Sequence, residues 1–124
     1  MDRYAMIALG GALGAIVRYQ VTAIVQARMP AAFPWGTFVV NVTGCLAMGI
    51  VMTLLSERLI IHPSWRYLIP IGFIGAYTTF STVEFETFRA VTEGAVLVGA
   101  ANAIGSILAG YVALWLGVVL ARLI

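Results

Sequence analysis

The sequence predicts an all-helical membrane protein with four transmembrane helices, of which the third is broken in the middle of the membrane. Of its 124 residues, 62% are hydrophobic and only 10% are charged, whereas about 25% are charged in an average soluble domain. The mean hydropathy of +1.02 is that of a chain in contact with lipid. Since each helix needs about 20 apolar residues to cross a bilayer, four spans fill the chain. We therefore expect one transmembrane domain, residues 1–124, and no enzyme.

Four apolar segments define the expected spans in chain order. Their predicted bounds are residues 4–25, 34–55, 65–89 and 95–121. The first segment follows Arg3 and resembles a signal peptide, but it continues past Tyr19, which favours a membrane span. The three tryptophans lie towards segment ends, as in the aromatic belts at membrane surfaces. Segments of alternating polarity are absent, so the spans are expected to be helices rather than strands of a barrel.

The arginines predict how the chain inserts. They are scattered singly and mostly at segment ends, so the basic pI of about 9.0 does not indicate the clustered basic face of a nucleic-acid-binding protein. With four spans, Arg3, Arg58, Arg66 and Arg122 fall on one side, and Arg28 and Arg89 on the other. Such counts set orientation, and this weak bias permits insertion in both directions as an antiparallel homodimer. A single orientation with cytoplasmic termini is equally supported by charge.

Small residues line one face of the first span and one face of the fourth span, which favours close helix packing. We call each of these faces a seam. Gly10 and Gly14 make a GxxxG pair in the first span. A phosphate-binding loop is not expected here, because the stretch lacks a preceding strand and the full glycine fingerprint of nucleotide-binding proteins. In the fourth span the small residues are Gly99, Asn102, Ser106, Gly110, Ala113 and Gly117. Both seams are expected to be buried against a partner. Cys45 is the only cysteine, which excludes an internal disulfide and a cysteine-cage metal site, and we expect a small buried residue there.

Two polar side chains lie inside the first two spans. Asn41 is roughly 10 Å into the second helix, with Thr37 and Gly44 one turn away on the same face. Its carboxamide is expected either to make an interhelical hydrogen bond or to donate into a polar pathway. Arg18 lies one or two turns from the far end of the first span, where it either extends to the interface or lines an aqueous vestibule that attracts anions.

The third span contains an unusual polar stretch, residues 72–82, with two glycines and five hydroxyl side chains. Glycine and threonine are weak helix formers, and threonine hydroxyls compete for backbone carbonyls, so we expect the helix to break here. A break in lipid is tolerated only where the freed backbone faces protein or water. The alternative is a continuous helix whose hydroxyls bond to their own turns. Glu84 and Glu86 follow without a histidine or metal set, and Arg89 is spaced to pair with Glu86.

Three motifs together resemble the Fluc (CrcB) fluoride channel family. They are Gly10-Gly11-x-x-Gly14-Ala15-x-x-Arg18-Tyr19, Gly36-Thr37-x-x-Val40-Asn41-x-x-Gly44-Cys45-x-x-x-Gly49 and Gly72-Phe73-x-Gly75-x-x-Thr78-Thr79-Phe80-Ser81-Thr82. They occur in the right order on the first three spans. The resemblance implies an antiparallel, dual-topology homodimer in the bacterial plasma (inner) membrane. It also implies two fluoride pores, passive export of fluoride, and a structural sodium ion (Na+) at the dimer centre.

The resemblance also implies roles for individual residues. The backbone carbonyls of Gly75 and Thr78 from each chain would bind sodium. Asn41 would be the amide that lines the pore, and Phe80 would be a ring that faces fluoride through its positive edge. Further polar residues of the pathway would be Thr37, Thr79, Ser81, Thr82, Ser106 and Glu86, with Arg18 towards the vestibule. Donors that replace the hydration shell of fluoride in a narrow pore would select against chloride.

One position departs from the family pattern. The motif usually has a second phenylalanine three residues after the first, where this chain has Val83. Valine has no polarised ring edge, so we expect slower conduction than with both rings. Two other classes compete with a channel. A small proton-coupled multidrug or cation exporter needs a carboxylate in its first helix, where this chain has Arg18 and no acid. A membrane scaffold explains the glycine seams but not the hydroxyl-rich stretch.

Overall fold

The computed structural model describes residues 2–58 and 62–124, and the elements found there are helical. The helices are α1 (Arg3–Arg28), α2 (Trp35–Thr53), α3 (Gly75–Tyr77), α4 (Phe80–Thr92) and α5 (Val96–Leu123). Wider π-helical turns follow α2 over Leu54–Arg58 and precede α3 over Tyr67–Ile74. Four segments are long and apolar enough to cross a membrane: Arg3–Arg28, Trp35–Glu57, Tyr67–Thr92 and Val96–Leu123. This confirms the expectation of an all-helical chain with four helices able to span a membrane.

The glycine pair of α1 lies where α1 packs against the start of the third span. A Cβ atom at Gly10 would overlap the carbonyl oxygen of Leu68, and a Cβ atom at Gly14 would overlap that of Phe73. Only glycine lets the two backbones approach this closely. The predicted close packing at the GxxxG pair is therefore confirmed, with the π-helical part of the third span as the partner.

The small-residue seam of α5 faces α2 and α4 of the same chain. Its buried members are Gly99, Asn102, Gly110, Ala113 and Gly117. A Cβ atom at Gly117 would overlap the backbone of Leu46, and one at Gly49 of α2 would overlap that of Leu114. The opposite face of α5 remains exposed and carries large apolar side chains, including Leu97, Ile104, Leu108 and Trp115. The seam thus holds the chain together, while the outer face is free for lipid or a second copy.

The turn between α4 and α5 depends on a glycine. Gly94 has a φ of +88°, in the left-handed region that favours glycine. Its N–H donates to the carbonyl of Val91 at 3.1 Å, and the N–H of Ala95 donates to that of Ala90 at 2.8 Å. These are the two bonds of a Schellman motif, which ends a helix and satisfies its last carbonyls. The third and fourth spans therefore follow one another as antiparallel neighbours.

An ion pair ties the ends of the second and fourth spans. Arg122 donates from Nε and Nη2 to the two carboxylate oxygens of Glu57, at 3.1 and 2.8 Å. A bidentate pair fixes both the distance and the relative rotation of the two groups. Arg122 therefore lies at a span end, as predicted for most of the arginines.

Candidate functional site

Two threonines in the middle of the third span have extended backbone angles. Thr78 has φ and ψ of −82° and 155°, and Thr79 has −149° and 118°, between the single turn of α3 and the start of α4. The hydroxyl of Thr79 then caps α4 by accepting from the N–H of Thr82 at 3.3 Å. Threonine suits this position because its hydroxyl replaces the carbonyl that a continuing helix would have supplied.

Asn41 of α2 binds the extended backbone at Thr79. Its Nδ2 donates to the Thr79 carbonyl at 3.0 Å, and its Oδ1 accepts from the Thr79 N–H at 2.8 Å. A carboxamide has two N–H bonds, so one remains after this pairing. The interhelical hydrogen bond expected from the sequence is confirmed. The second N–H is still available to a ligand, so the two alternatives for Asn41 are compatible.

A cavity of about 260 Å³ lies beside this pair, and we call it the mid-membrane cavity. Its lining comes from α2, the two extended threonines, α4 and α5. The lining residues are Asn41, Cys45, Thr78, Thr79, Phe80, Val83, Glu84, Ala103, Ser106, Ile107, Gly110 and Tyr111. The tertiary structure therefore brings six of the predicted site residues together, although they lie on four separate parts of the chain.

A second cavity of about 650 Å³ lies towards the end of α1, and we call it the end cavity. Its lining residues are Thr22, Gln26, Ala31, Ala32, Pro34, Thr37, Thr82, Phe85, Glu86, Arg89, Ala90, Glu93, Ala95 and Val98. Gln26 shapes one wall, because it accepts from the N–H of Gly36 at 3.1 Å and donates to the carbonyl of Phe33 at 3.2 Å. Three more of the predicted residues, Thr37, Thr82 and Glu86, lie in this cavity.

Glu86 binds Thr37 rather than Arg89. The Thr37 hydroxyl is buried and donates to Glu86 Oε1 at 2.6 Å. Arg89 instead lies 3.6 Å from Glu93, with both side chains about two-thirds exposed, so the pairing expected from sequence spacing was wrong. Arg89 and Glu93 are one helical turn apart at the end of α4, a spacing at which two side chains can pair. The second oxygen of Glu86, Oε2, is buried without a hydrogen bond to the described residues. A buried carboxylate oxygen needs a partner, so we expect the end cavity to contain water.

A buried asparagine behind the mid-membrane cavity fixes the position of α4. Asn102 is 1% exposed, and its Nδ2 donates to the Val83 carbonyl at 3.3 Å and to the Thr87 hydroxyl at 3.1 Å. Its Oδ1 accepts from the Ser106 hydroxyl at 3.4 Å. The sequence predicted Asn102 only as a small member of the α5 seam. Its presence in an otherwise apolar helix was the signal that it had a polar partner.

Three of the predicted residues, Ser81, Arg18 and Gly75, line neither cavity. The hydroxyl of Ser81 lies 3.4 Å from that of Thr79, at the exposed start of α4. Arg18 is half-buried on α1. Glu84 and Tyr111 line the mid-membrane cavity but were not predicted to do so. Glu84 was visible in the sequence as an acid within a span, whereas the position of Tyr111 depends on the rotation of α5.

The family model described as "CrcB-like protein, Camphor Resistance (CrcB)" matches residues 5–118. A protein of Solibacter usitatus named fluoride-specific ion channel FluC is 52% identical over 97% of this chain and 98% of its own length. Proteins with the same name from Acidobacterium capsulatum and Nitratidesulfovibrio vulgaris are 47% and 43% identical, over 94% and 100% of both chains, respectively.

Proposed function

Because this chain belongs to the CrcB-like protein family, we propose that it is a fluoride-selective passive channel that exports fluoride from the cytoplasm and so relieves its toxicity. The family and the four apolar helices make it a multi-pass membrane protein, and its relatives are named ion channels rather than enzymes. The proposed location is the bacterial inner membrane. The motifs on the first three spans support the same function.

The observation that carries this proposal is the composition of the mid-membrane cavity. One N–H of Asn41 remains after the carboxamide has paired with Thr79. Phe80 lines the same cavity, and the positive edge of its ring can face a small anion while the ring excludes bulk water. An N–H donor and a ring edge both present partial positive charge, so together they can replace part of the hydration shell of a small anion.

Thr37 and Glu86 are proposed to connect this site to the end cavity, together with Thr79 and Thr82. The hydroxyls of Thr79 and Thr82 lie 2.9 Å apart, and Thr79 lines the mid-membrane cavity while Thr82 lines the end cavity. The hydroxyls of Thr79 and Thr82 therefore connect the polar lining of one cavity with that of the other. Ser106 and Ser81 are further donors, although the Ser106 hydrogen is directed at Asn102 in this conformation. Arg18 is proposed to raise the local anion concentration through its charge.

The proposed working unit is an antiparallel, dual-topology homodimer. Phe80 is 70% exposed in the single chain although it lines the mid-membrane cavity. A cavity that opens on one side along the outer surface needs a second wall to exclude lipid. A second copy of this chain, inserted in the opposite direction, supplies that wall and creates two equivalent pathways. The weak arginine bias between the two sides permits this arrangement.

The proposed sodium ion has suitable ligands at Gly75 and Thr78. The Thr79 N–H, which would bond to the Gly75 carbonyl in a continuous helix, donates to Asn41. The Thr82 N–H, which would bond to the Thr78 carbonyl, donates to the Thr79 hydroxyl. Among the described residues, no other backbone donor outside the helices is directed at either carbonyl. Carbonyl oxygens are ligands for a hard cation, and an orphaned carbonyl in a membrane requires a partner.

We expect experimental density for a monovalent cation between the Gly75 and Thr78 carbonyls of two copies. The ligands are backbone atoms, so no side-chain substitution removes them, and a high-resolution structure in sodium is the direct measurement. The expected distances are those of a cation bound by carbonyl oxygens. Density for water alone, or no density between the two segments, would refute the sodium site and leave the channel proposal standing.

Replacing Val83 with phenylalanine is expected to raise fluoride flux. Val83 is 3% exposed and lines the mid-membrane cavity, so we expect a ring at this position to extend into the cavity and add a second positive edge along the pathway. The measurement is the initial rate of fluoride efflux from proteoliposomes at equal protein. Val83→Leu is the matched control, because it adds volume without a polarised edge. An unchanged or lower rate with phenylalanine would contradict the role given to the ring.

The function itself is tested by fluoride efflux from liposomes that contain the purified protein. A fluoride electrode is expected to record rapid, passive efflux down the fluoride gradient, with chloride efflux far slower and with no requirement for a proton gradient. Empty liposomes give the background rate. Chloride permeation at a comparable rate would contradict fluoride selectivity. Transport that depends on a proton gradient and carries organic cations would instead support the alternative, a small proton-coupled exporter.

A further inference from the structure

Glu84 is a carboxylate inside the membrane-spanning part of α4. Glu84 lies eight residues before the end of α4 at Thr92, which is about 12 Å along the helix. Half of the hydrocarbon core measures about 15 Å, so a helix that ends at the membrane surface carries Glu84 most of the way to the middle of the membrane. Its side chain is exposed in the single chain. Within the described residues Glu84 has no hydrogen bond or ion pair, whereas Glu57, Glu86 and Glu93 each have a partner.

The elements packed against α4 offer Glu84 no positive charge. α4 packs chiefly on α5 and to a smaller extent on α2. α2 carries no arginine between Trp35 and Thr53, and the arginine of α5 is Arg122 at its far end, where it is paired with Glu57. On α4 itself, Arg89 is paired with Glu93. Glu84 therefore lacks compensation from its neighbours in the described part of the chain.

An uncompensated carboxylate at this depth must face water, because exposure of a charge to hydrocarbon is costly. Glu84 lines the mid-membrane cavity with Asn41 and Phe80, so we expect this cavity to contain the water that the carboxylate requires. The same position puts a negative charge beside the donors that we assign to fluoride. The cavity therefore combines attraction at Asn41 with repulsion at Glu84.

We propose that Glu84 acts as an electrostatic barrier in the fluoride pathway, lowering fluoride occupancy of the mid-membrane cavity and limiting the conduction rate. This inference rests on the proposed channel function and deepens it. A sphere of the cavity's 260 Å³ is about 8 Å across, so a fluoride ion inside it lies within about 8 Å of the carboxylate. At an effective dielectric constant of about 20, like charges at this distance repel strongly enough to lower occupancy about tenfold or more.

The barrier has a different physical origin from the effect of Val83. Val83 lacks the attractive ring edge that a phenylalanine would supply, whereas Glu84 adds a repulsive charge. The two residues are adjacent on α4 and line the same cavity. Neutralising Glu84 should therefore raise fluoride flux without any change at Val83. The double variant with phenylalanine at position 83 should have a higher flux than either single variant.

The test compares Glu84→Gln with the unmodified protein in proteoliposomes, using a fluoride electrode. Glu84→Gln is expected to raise the initial fluoride flux about tenfold and to lower the half-saturating fluoride concentration, since it removes the charge and keeps the size. Glu84→Asp retains the charge and should not reproduce the increase. Glu57→Gln is the matched control, because it neutralises a glutamate at a span end outside both cavities, and it should not raise the flux.

Each outcome has a defined meaning. An unchanged or lower flux in Glu84→Gln would overturn the barrier while fluoride flux in the unmodified protein still supported the channel. A lower flux together with loss of the assembled protein in size-exclusion chromatography would show that Glu84 binds a cation of a second copy, which also overturns the barrier. Absence of fluoride flux from both proteins would refute the channel function, and the barrier with it.

Discussion

Replacing Asn41 with leucine is expected to reduce fluoride flux about 100-fold, the size of the loss when a preorganised site loses a single donor to an anion. Leucine has nearly the same volume but no hydrogen-bonding group. The substitution removes the N–H that is left over from the pairing with Thr79 and that we assign to fluoride. It also leaves both backbone groups of Thr79 without the partners that they have at 2.8 and 3.0 Å. The extended backbone at Thr79 then loses its support, so both the donor and the shape of the cavity are affected.

The control for Asn41 is Thr43→Val on the same helix. Thr43 also carries a polar group within α2, but its hydroxyl bonds to Val39 and Tyr77 and lines neither cavity. Loss of its hydroxyl is expected to leave fluoride flux within about twofold, since interhelical hydrogen bonds in membranes contribute about 0.6 kcal/mol on average. The measurement is fluoride efflux from proteoliposomes at matched protein content. Equal losses in the two variants would show that Asn41 has no special role in the pathway.

Replacing Gly14 with alanine is expected to destabilise the fold by about 3 kcal/mol or more. The added Cβ would overlap the carbonyl oxygen and crowd the Cα of Phe73. Because both groups belong to backbones within packed helices, neither can move aside as a flexible side chain would. We expect α1 to be displaced from the third span, with a lower midpoint of thermal unfolding in detergent and a smaller yield of folded protein.

Gly11 provides the control for this prediction. It lies on the same helix three residues earlier, and a Cβ there meets no atom within 4 Å. Gly11→Ala is expected to leave the unfolding midpoint unchanged or to raise it, since alanine favours a helix over glycine by about 1 kcal/mol. A similar loss of stability in both variants would show that the destabilisation comes from helix propensity or from lipid contacts. The close approach at Gly14 would then have no energetic importance.

The sequence predicted the number of spans and the close packing of α1 because both depend on local pattern. Each span is a continuous apolar run of about the length that a bilayer requires. Gly10 and Gly14 recur at the spacing of one helical turn, which identifies a packing face before its partner is known. The sequence also singled out the hydroxyl-rich stretch in which Thr78 and Thr79 adopt extended angles.

The predicted pair of Glu86 and Arg89 shows where local pattern fails. A spacing of three residues permits contact along a helix face. The partner of Glu86 is instead Thr37, which is 49 residues away in sequence and 2.6 Å away in the structure. The pairing of Asn41 with Thr79 spans 38 residues, and that of Asn102 with Val83 spans 19. None of these partners can be identified from spacing on one helix.

By itself, the sequence determined which segments enter the membrane and which of their residues are polar, because hydropathy and helical periodicity are properties of a single segment. Only the tertiary structure decided how those polar residues combine. The rotation and depth of each helix bring Asn41, Phe80 and Glu84 to the lining of one cavity. Rotation and depth result from packing between distant segments, above all at the glycine contacts, where backbone shape rather than polarity selects the partner.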